Sequence, residues 1–238
     1  MDQLLQHGLN ALMLGGIYAL LGIGLTLIFG IMRLVNFTHG ELYAFGAYMM
    51  YLCVMLLGVN FFVALALAVA LGVALGASIE FTLLRKLRGA DIDTTMLVLI
   101  AATYAIINHT RLGKAMRATF QDRETAALMG IQIGMINTAT FALGSGLAAA
   151  AGALLGPVFV AYPTMGDLAA AKAFAIVILG GLGSIAGATV GGFILALVEE
   201  LGAAYISSGY RDAMGFLIII LILIFKPTGL FAQKERVG

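Results

Sequence analysis

The feature that most limits the fold of this chain is the length of its apolar runs. Residues Gly8 to Met32 and Phe61 to Leu84 each exceed the roughly 20 apolar residues that cross a bilayer as a helix. Neither run alternates as a barrel strand does. The chain is 62% apolar and 11% charged, against about 25% charged in soluble domains. The sequence predicts an all-α, polytopic transmembrane helical bundle forming one domain over residues 1–238.

The basic residues indicate the orientation of the bundle. Eleven of the thirteen Lys and Arg residues lie at Arg33, 85–88, 111–123 and 226–236. Such clusters favour the cytoplasmic side of a membrane. We therefore expect a periplasmic N-terminus, a cytoplasmic C-terminus and no cleaved signal peptide, since no Lys or Arg precedes the first apolar run.

Two of these basic clusters are too close together in the sequence. Only the apolar run Thr94 to His109 separates 85–88 from 111–123, although both clusters favour the cytoplasm. Two spans need roughly 40 residues, and the run contains no Gly or Pro to turn on. We predict eight or nine spans in all, including a pair that is missing or unresolved near Ile100–Ala101. The Cα atoms of those two residues should then lie well beyond the 3.8 Å of a trans peptide.

A polar string precedes the second apolar run. It contains Asn36, Thr38, His39 and Glu41. Thr38 and Glu41 have the spacing of a capping box, which would fix the start of a helix. Polar groups within apolar spans also line transport pathways, and both interpretations stay open. One His and one carboxylate are too few ligands for a metal site.

The basic loop 111–131 contains a second informative pattern. Asp122 can cap a short helix, Glu124 lies in its first turn, and Gly130 can end it. So short a helix is unstable alone, so it either docks on another protein or is an ordinary interfacial loop helix. Gly113-Lys114 is followed by Ala115, so no Walker A phosphate loop is present. We find no catalytic constellation and expect ATP on partner subunits only.

Two further elements follow from the assignment of sides. The segments Tyr162 to Asp167 and Ser207 to Asp212 are the polar loops left for the outer face, and each carries an acid, Asp167 or Asp212. They are either periplasmic docking elements or plain turns. Gly183, Gly187 and Gly191 have the spacing of a close helix-packing face.

These motifs together resemble one family over nearly the whole chain. The strings that carry the resemblance are 36–41 with Gly46-Ala47-Tyr48, Glu124-Thr125-Ala126-Ala127 with Gly130, Ala171-Lys172-Ala173-Phe174, 179–184, and Pro227-Thr228-Gly229-Leu230. They are similar to the permease subunits of ABC importers for branched-chain amino acids.

The resemblance implies a multi-pass protein of the bacterial inner membrane that moves branched-chain amino acids into the cytoplasm. It implies three kinds of partner in the bilayer and beside it: a second homologous permease subunit, two cytoplasmic ATPase subunits and a periplasmic solute-binding protein. ATPase coupling would involve Arg117, Asp122, Glu124, Ala127 and Gly130. No cofactor on this chain and no nucleic acid is expected. The alternatives are a urea or short-amide permease of the same family and an ion-coupled secondary transporter.

Overall fold

The described residues of the computed structural model are 2–32, 39–80, 100, 103–155, 162, 164–226 and 228–231. Within these ranges the regular elements are all helices. The predicted chain separation at Ile100–Ala101 falls outside them, because Ala101 is not described. Asn36 and Thr38 also lie outside.

Ten helices of the described part of the chain are numbered in chain order. They are α1 (Asp2–Met32), α2 (His39–Tyr51), α3 (Phe61–Glu80), α4 (103–109), α5 (Arg111–Gln121), α6 (Arg123–Leu128), α7 (Ile133–Leu155), α8 (Met165–Gly180), α9 (Ile185–Tyr205) and α10 (Arg211–Phe225). A π-helical turn, Leu52–Leu56, extends α2, and a 3₁₀ turn, Ser208–Tyr210, precedes α10.

Several of these helices can cross a membrane by length and composition. Among the described residues four segments qualify: Gln3–Ile31, Ile133–Leu155, Ile185–Tyr205 and Ser208–Phe225. The apolar part of α3, Phe61–Leu75, is shorter. These helices confirm the predicted all-α, polytopic membrane fold.

Helix α1 lies at the centre of the bundle. Every residue from Leu14 to Ile28 is buried, and α1 packs against α7, α8 and α9. Helix α7 in turn packs against α2 and α3. A helix that is apolar on all sides is expected to be enclosed in this way.

Glycines allow the neighbours of α1 to come so close. A Cβ atom at Gly24 would lie 2.7 Å from the carbonyl oxygen of Gly144 in α7. A Cβ atom at Gly192 of α9 would lie 2.5 Å from the amide nitrogen of Ala19. Small residues let membrane helices meet backbone to backbone, so any larger residue here would push α1 away from its partners.

The predicted glycine face is only partly right. A Cβ atom at Gly187 would lie 2.1 Å from the carbonyl oxygen of Gly180, and one at Gly191 would lie 3.0 Å from that of Ile176, so both pack α9 on α8. Gly183 instead lies in the turn before α9 with φ +81°. The turn needs a residue with positive φ, and this need replaces the helix-packing role expected from the spacing.

The residues after α10 fold back on the end of α8. The amide of Leu230 donates to the carbonyl oxygen of Leu179 at 2.9 Å, and that of Phe231 donates to Gly180 at 3.0 Å. Gly229 allows this return with φ +82°. The last carbonyl groups of a helix lack partners within it, so this tail supplies the hydrogen bonds that complete α8.

We expect Gly229→Ala to destabilise the protein more than Gly58→Ala. Both glycines have positive φ, which costs other residues about 1–2 kcal/mol. A Cβ atom at Gly229 would also lie 2.6 Å from backbone atoms of Gly181 and Ile178, whereas Gly58 has open space around it. The check is the thermal midpoint of unfolding in detergent. Unfolding is monitored by the reaction of a thiol-reactive fluorophore with Cys53, which is 2% exposed in the folded protein. Equal midpoints would contradict the proposed backbone contact.

Candidate functional site

The start of α2 is tied to α1 by a buried histidine. His39 is 0% exposed, and its Nε2–H group donates to the carbonyl oxygen of Leu21 at 3.0 Å. Glu41 is exposed in the first turn of α2. Its carboxylate lies beside Gly166, where a Cβ atom would be 3.1 Å from Oε1. The His39 contact supports a structural role, while the capping box stays a prediction because Thr38 is not described.

The short helix predicted in the basic loop is α6, and it has the predicted caps. Asp122 Oδ1 accepts hydrogen bonds from the amides of Glu124 and Thr125, at 3.0 Å each. Bonds from the Thr125 hydroxyl and these amides hold the pKa of Asp122 below its usual value. Gly130 ends the segment with φ +84°. Of α6, only Ala126 is buried, and Ala127 is exposed.

Two neighbouring apolar residues at the end of α6 were not singled out from the sequence. Leu128 is 87% exposed and Met129 is 80% exposed. Arg117 differs from the other predicted coupling residues, since its guanidinium donates to the carbonyl oxygen of Ile107 and the side chain of Asn108. Arg117 therefore connects α5 to α4, although its side chain is exposed.

The two acids predicted for docking lie in helices rather than in loops. Asp167 is exposed in the first turn of α8, and Asp212 is in the first turn of α10. The side chain of Asp212 is 47% exposed, and its Oδ1 lies 2.9 Å from the ammonium of Lys172. Asp212 therefore belongs to a network that the sequence did not reveal.

Lys172 is the centre of that network. Its Nζ donates to Glu199 Oε2 at 2.8 Å and to the Tyr18 hydroxyl at 2.6 Å. The Tyr18 hydroxyl donates to the same Glu199 oxygen at 2.7 Å. Lys172 is 7% exposed and Glu199 is 1% exposed. Burying charges costs several kcal/mol each unless they are paired, so the contacts join α1, α8, α9 and α10 around one ammonium group.

A second cluster lies beside the first. Glu200 is 4% exposed and accepts from Arg211 at 2.6 Å and from Asn10 at 3.2 Å. His7 Nδ1 lies 3.1 Å from the same carboxylate. This cluster connects the N-terminal part of α1 with α9 and α10, and it faces the same end of the bundle.

A cavity of about 210 Å³ adjoins both clusters. Lys172, Arg211 and Asp212 supply the charged part of its wall, and Tyr18, Tyr43 and Tyr162 supply hydroxyl groups. The rest of the wall is apolar and consists of Leu14, Leu21, Leu155, Met165, Leu168 and Ala169. Among the described residues no group of three or more His, Cys, Asp or Glu residues could hold a metal ion.

Lys172, Glu199 and Glu200 were not predicted as site residues from the sequence. Their signal was the position of charged side chains inside otherwise apolar helices, where such groups face the bundle interior or a pathway. Lys172 and Arg211 were also the two cations outside the basic clusters. The partners are far apart in sequence, so only the fold shows which of them meet.

The fold and this site define a class of protein. Enclosed apolar helices with paired charges beside a mostly apolar cavity are typical of membrane transport proteins. The family described as branched-chain amino acid transport system, permease component, matches residues 8–106 and 87–225. The chain belongs to this family.

Individual relatives agree with the family. The high-affinity branched-chain amino acid transport system permease protein LivH of Escherichia coli K12 is 32% identical over 297 residues, covering 97% of this chain and 96% of the relative. The permease protein BraD of Pseudomonas aeruginosa is 31% identical over 296 residues, with the same coverage. A probable LivH of Methanocaldococcus jannaschii is 31% identical over 57% of this chain and 45% of the relative. No solved structure matches the chain significantly.

The alignments with LivH of Escherichia coli and with BraD are longer than the chain. An alignment of 297 positions with a chain of 238 residues leaves at least 59 positions that only the relative fills. Because the alignment covers 97% of the chain and 96% of the relative, most of these positions are internal. The two family matches also overlap at 87–106. Both observations support the predicted interruption, whose place at Ile100–Ala101 stays a prediction.

We expect Lys172→Met to destabilise the protein more than the double change Lys172→Met with Glu199→Gln. Removing one partner of a buried ion pair leaves an uncompensated charge and costs about 3–5 kcal/mol. The double variant buries no such charge at Glu199. The thermal midpoint of unfolding, monitored by Cys53 labelling, measures the stability of the single and the double variant. Lys114→Met is the control, because Lys114 is an exposed residue of α5. A double variant less stable than the single one would show that the pair is not the cause.

Proposed function

We propose that this chain is the membrane-spanning permease subunit of an ATP-driven ABC importer that carries branched-chain amino acids into the cytoplasm. The observation that carries the proposal is the 32% identity to a branched-chain amino acid permease over 97% of the chain. The relatives are named as transport permeases, which supports a transport role rather than an enzymatic one.

The test is uptake of labelled leucine by membranes that contain the chain and its partner subunits. We expect isoleucine and valine to compete and urea not to compete, and uptake to stop when ATP is withdrawn. Competition by urea would assign the substrate to short amides. Uptake that follows an ion gradient without ATP would instead make the chain a secondary transporter.

The proposed assembly contains this chain, a second homologous permease subunit, two cytoplasmic ATPase subunits and a periplasmic solute-binding protein. Membership of a transport-system permease family supports partners that bind ATP and substrate, because this family is described as one component of a system. The membrane is then the bacterial inner membrane. Co-purification of the chain from its host would test the stoichiometry.

Helix α6 is the surface that we propose for ATPase docking. A helix of six residues is too short to be stable in isolation, and the caps Asp122 and Gly130 hold it in place. Its end presents Leu128 and Met129 as adjacent exposed apolar side chains, of the kind that a partner's groove covers.

Phe120 of α5 connects this surface to the bundle, because its ring lies against Gly30 of α1 and the turn at Gly183. A force on α6 would therefore reach α1 and α9.

We expect Glu124→Lys and Gly130→Pro to uncouple ATP hydrolysis from uptake while membrane insertion stays normal. Lysine opposes the helix dipole in the first turn of α6, and proline cannot adopt the φ of +84° found at Gly130. Leu128→Asp should weaken docking directly. Gly134→Ala is the matched control, because a Cβ atom there meets nothing within 4 Å. Coupled uptake at the unaltered rate in all three variants would reject the docking role.

The outer face is proposed to include Tyr162, the first turns of α8 and α10, and the acids Asp167 and Asp212. This assignment gives α6 and the basic clusters to the cytoplasm and the N-terminus to the periplasm. The ion pair of Asp212 with Lys172 then connects the surface that receives the binding protein to the interior of the bundle.

Single cysteines test this orientation. Thr164→Cys and Ser208→Cys should react with a membrane-impermeant thiol reagent in intact spheroplasts, because both positions are exposed at the proposed outer face. Thr125→Cys in α6 is the matched position on the other face and should react only after permeabilisation. The native background is low because Cys53 is buried. The reverse labelling pattern would invert the topology.

A further inference from the structure

We propose that the 210 Å³ cavity is a binding site for a free α-amino acid with an apolar side chain. In this site the carboxylate of Asp212 contacts the substrate ammonium, and the guanidinium of Arg211 contacts the substrate carboxylate. The inference rests on the proposed transport function and adds to it a site on the permease itself.

The anionic group is the carboxylate of Asp212, whose negative charge is only partly compensated. The ammonium of Lys172 lies 2.8 Å from Glu199 and 2.9 Å from Asp212, so two carboxylates share one cation. Glu199 is the more deeply buried of the two and has the stronger need of that cation. Asp212 lines the cavity and is 47% exposed, so a cationic group entering the cavity would find an acceptor there.

The cationic group is the guanidinium of Arg211, the residue that precedes Asp212 in the chain. A guanidinium has five N–H donors in a fork that matches a carboxylate. Among the described residues Arg211 donates to Glu200, which leaves further donors on a side chain that also lines the cavity. Adjacent cation and anion on the first turn of one helix thus present both charges that an amino-acid head group requires.

The wall selects the side chain of the ligand. Away from the charged residues and the three tyrosines, the cavity is lined by four leucines, a methionine and an alanine. An apolar cavity of about 150 Å³ holds benzene, and valine or leucine has only a few more non-hydrogen atoms. A branched aliphatic side chain would lose no hydrogen bonds against these six apolar residues, whereas a polar side chain would be left unpaired beside them.

The position places the cavity beside the proposed delivery surface. Tyr162, Arg211 and Asp212 line the cavity and also belong to the outer elements described above. An amino acid released by a binding protein at this surface would therefore meet the cavity first, before the buried interior of the bundle.

The experiment measures binding of labelled leucine to the purified transporter without its binding protein. Two competitors each lack one charge: leucinamide has no carboxylate, and 4-methylpentanoate has no ammonium. We expect leucine to bind the unaltered protein at least about tenfold more tightly than either competitor, because each competitor lacks one of the two charged groups that the site would pair; tenfold corresponds to about 1.4 kcal/mol.

The variants give a crossed pattern that a purely structural role would not produce. Asp212→Asn should weaken leucine and leucinamide about tenfold or more and leave 4-methylpentanoate unchanged. Arg211→Gln should weaken leucine and 4-methylpentanoate and leave leucinamide unchanged. Leu168→Trp should weaken all three by filling the cavity. Leu217→Trp is its matched control on the exposed face of α10 and should change none.

Two outcomes would overturn the inference. One is the absence of saturable leucine binding, and the other is equal affinity of the unaltered protein for all three ligands. The comparison of the three ligands on the unaltered protein needs no variant, so it tests the proposed site even if a substitution prevents folding. Uptake with binding protein and ATP separates the two proposals. Leucine uptake without binding to the permease alone would reject the cavity and keep the proposed function, whereas no leucine uptake would reject the proposed function.

Discussion

The structure depends on direct backbone contact between α1 and the helices around it. Lipid offers no hydrophobic drive for helices to associate, so membrane helices are held by close packing and hydrogen bonds. At Gly24 and Gly192 that packing has no room for a side chain. The enclosure of α1 brings Tyr18 to the centre, where its hydroxyl meets groups from α8 and α9. Without this approach the buried ion pair would have no third partner.

The buried charges in turn restrict how the bundle can move. Lys172 joins α8 to α9 and α10 through two carboxylates, and Glu200 joins α9 to α1 and α10. Separating these helices exposes a charge that has lost its partner, unless water or a ligand replaces that partner. Such a network favours movement of the four helices as one body over movement of any one alone.

The elements whose cause is local could be predicted from the sequence. The helix α6 and its caps follow from Asp122 and Gly130 because capping acts within a few residues. The apolar runs gave the long helices for the same reason. The ion pairs of Lys172 with Glu199 and Asp212 were not predicted, because pairing across three helices depends on packing that no single sequence shows. Gly183 was assigned to a packing face since spacing alone does not distinguish a helix from the turn before it.

The hydrogen bonds from Leu230 and Phe231 to the end of α8 have a consequence for biosynthesis. During translation α8 leaves the ribosome about fifty residues before the tail that completes it, as the numbering of Gly180 and Leu230 shows. Until then its last carbonyl groups must be satisfied by water or by the insertion machinery. The order of synthesis therefore keeps this end of the bundle open until α10 has entered the membrane. A chain that stops before Leu230 would leave the last carbonyl groups of α8 without these hydrogen bonds.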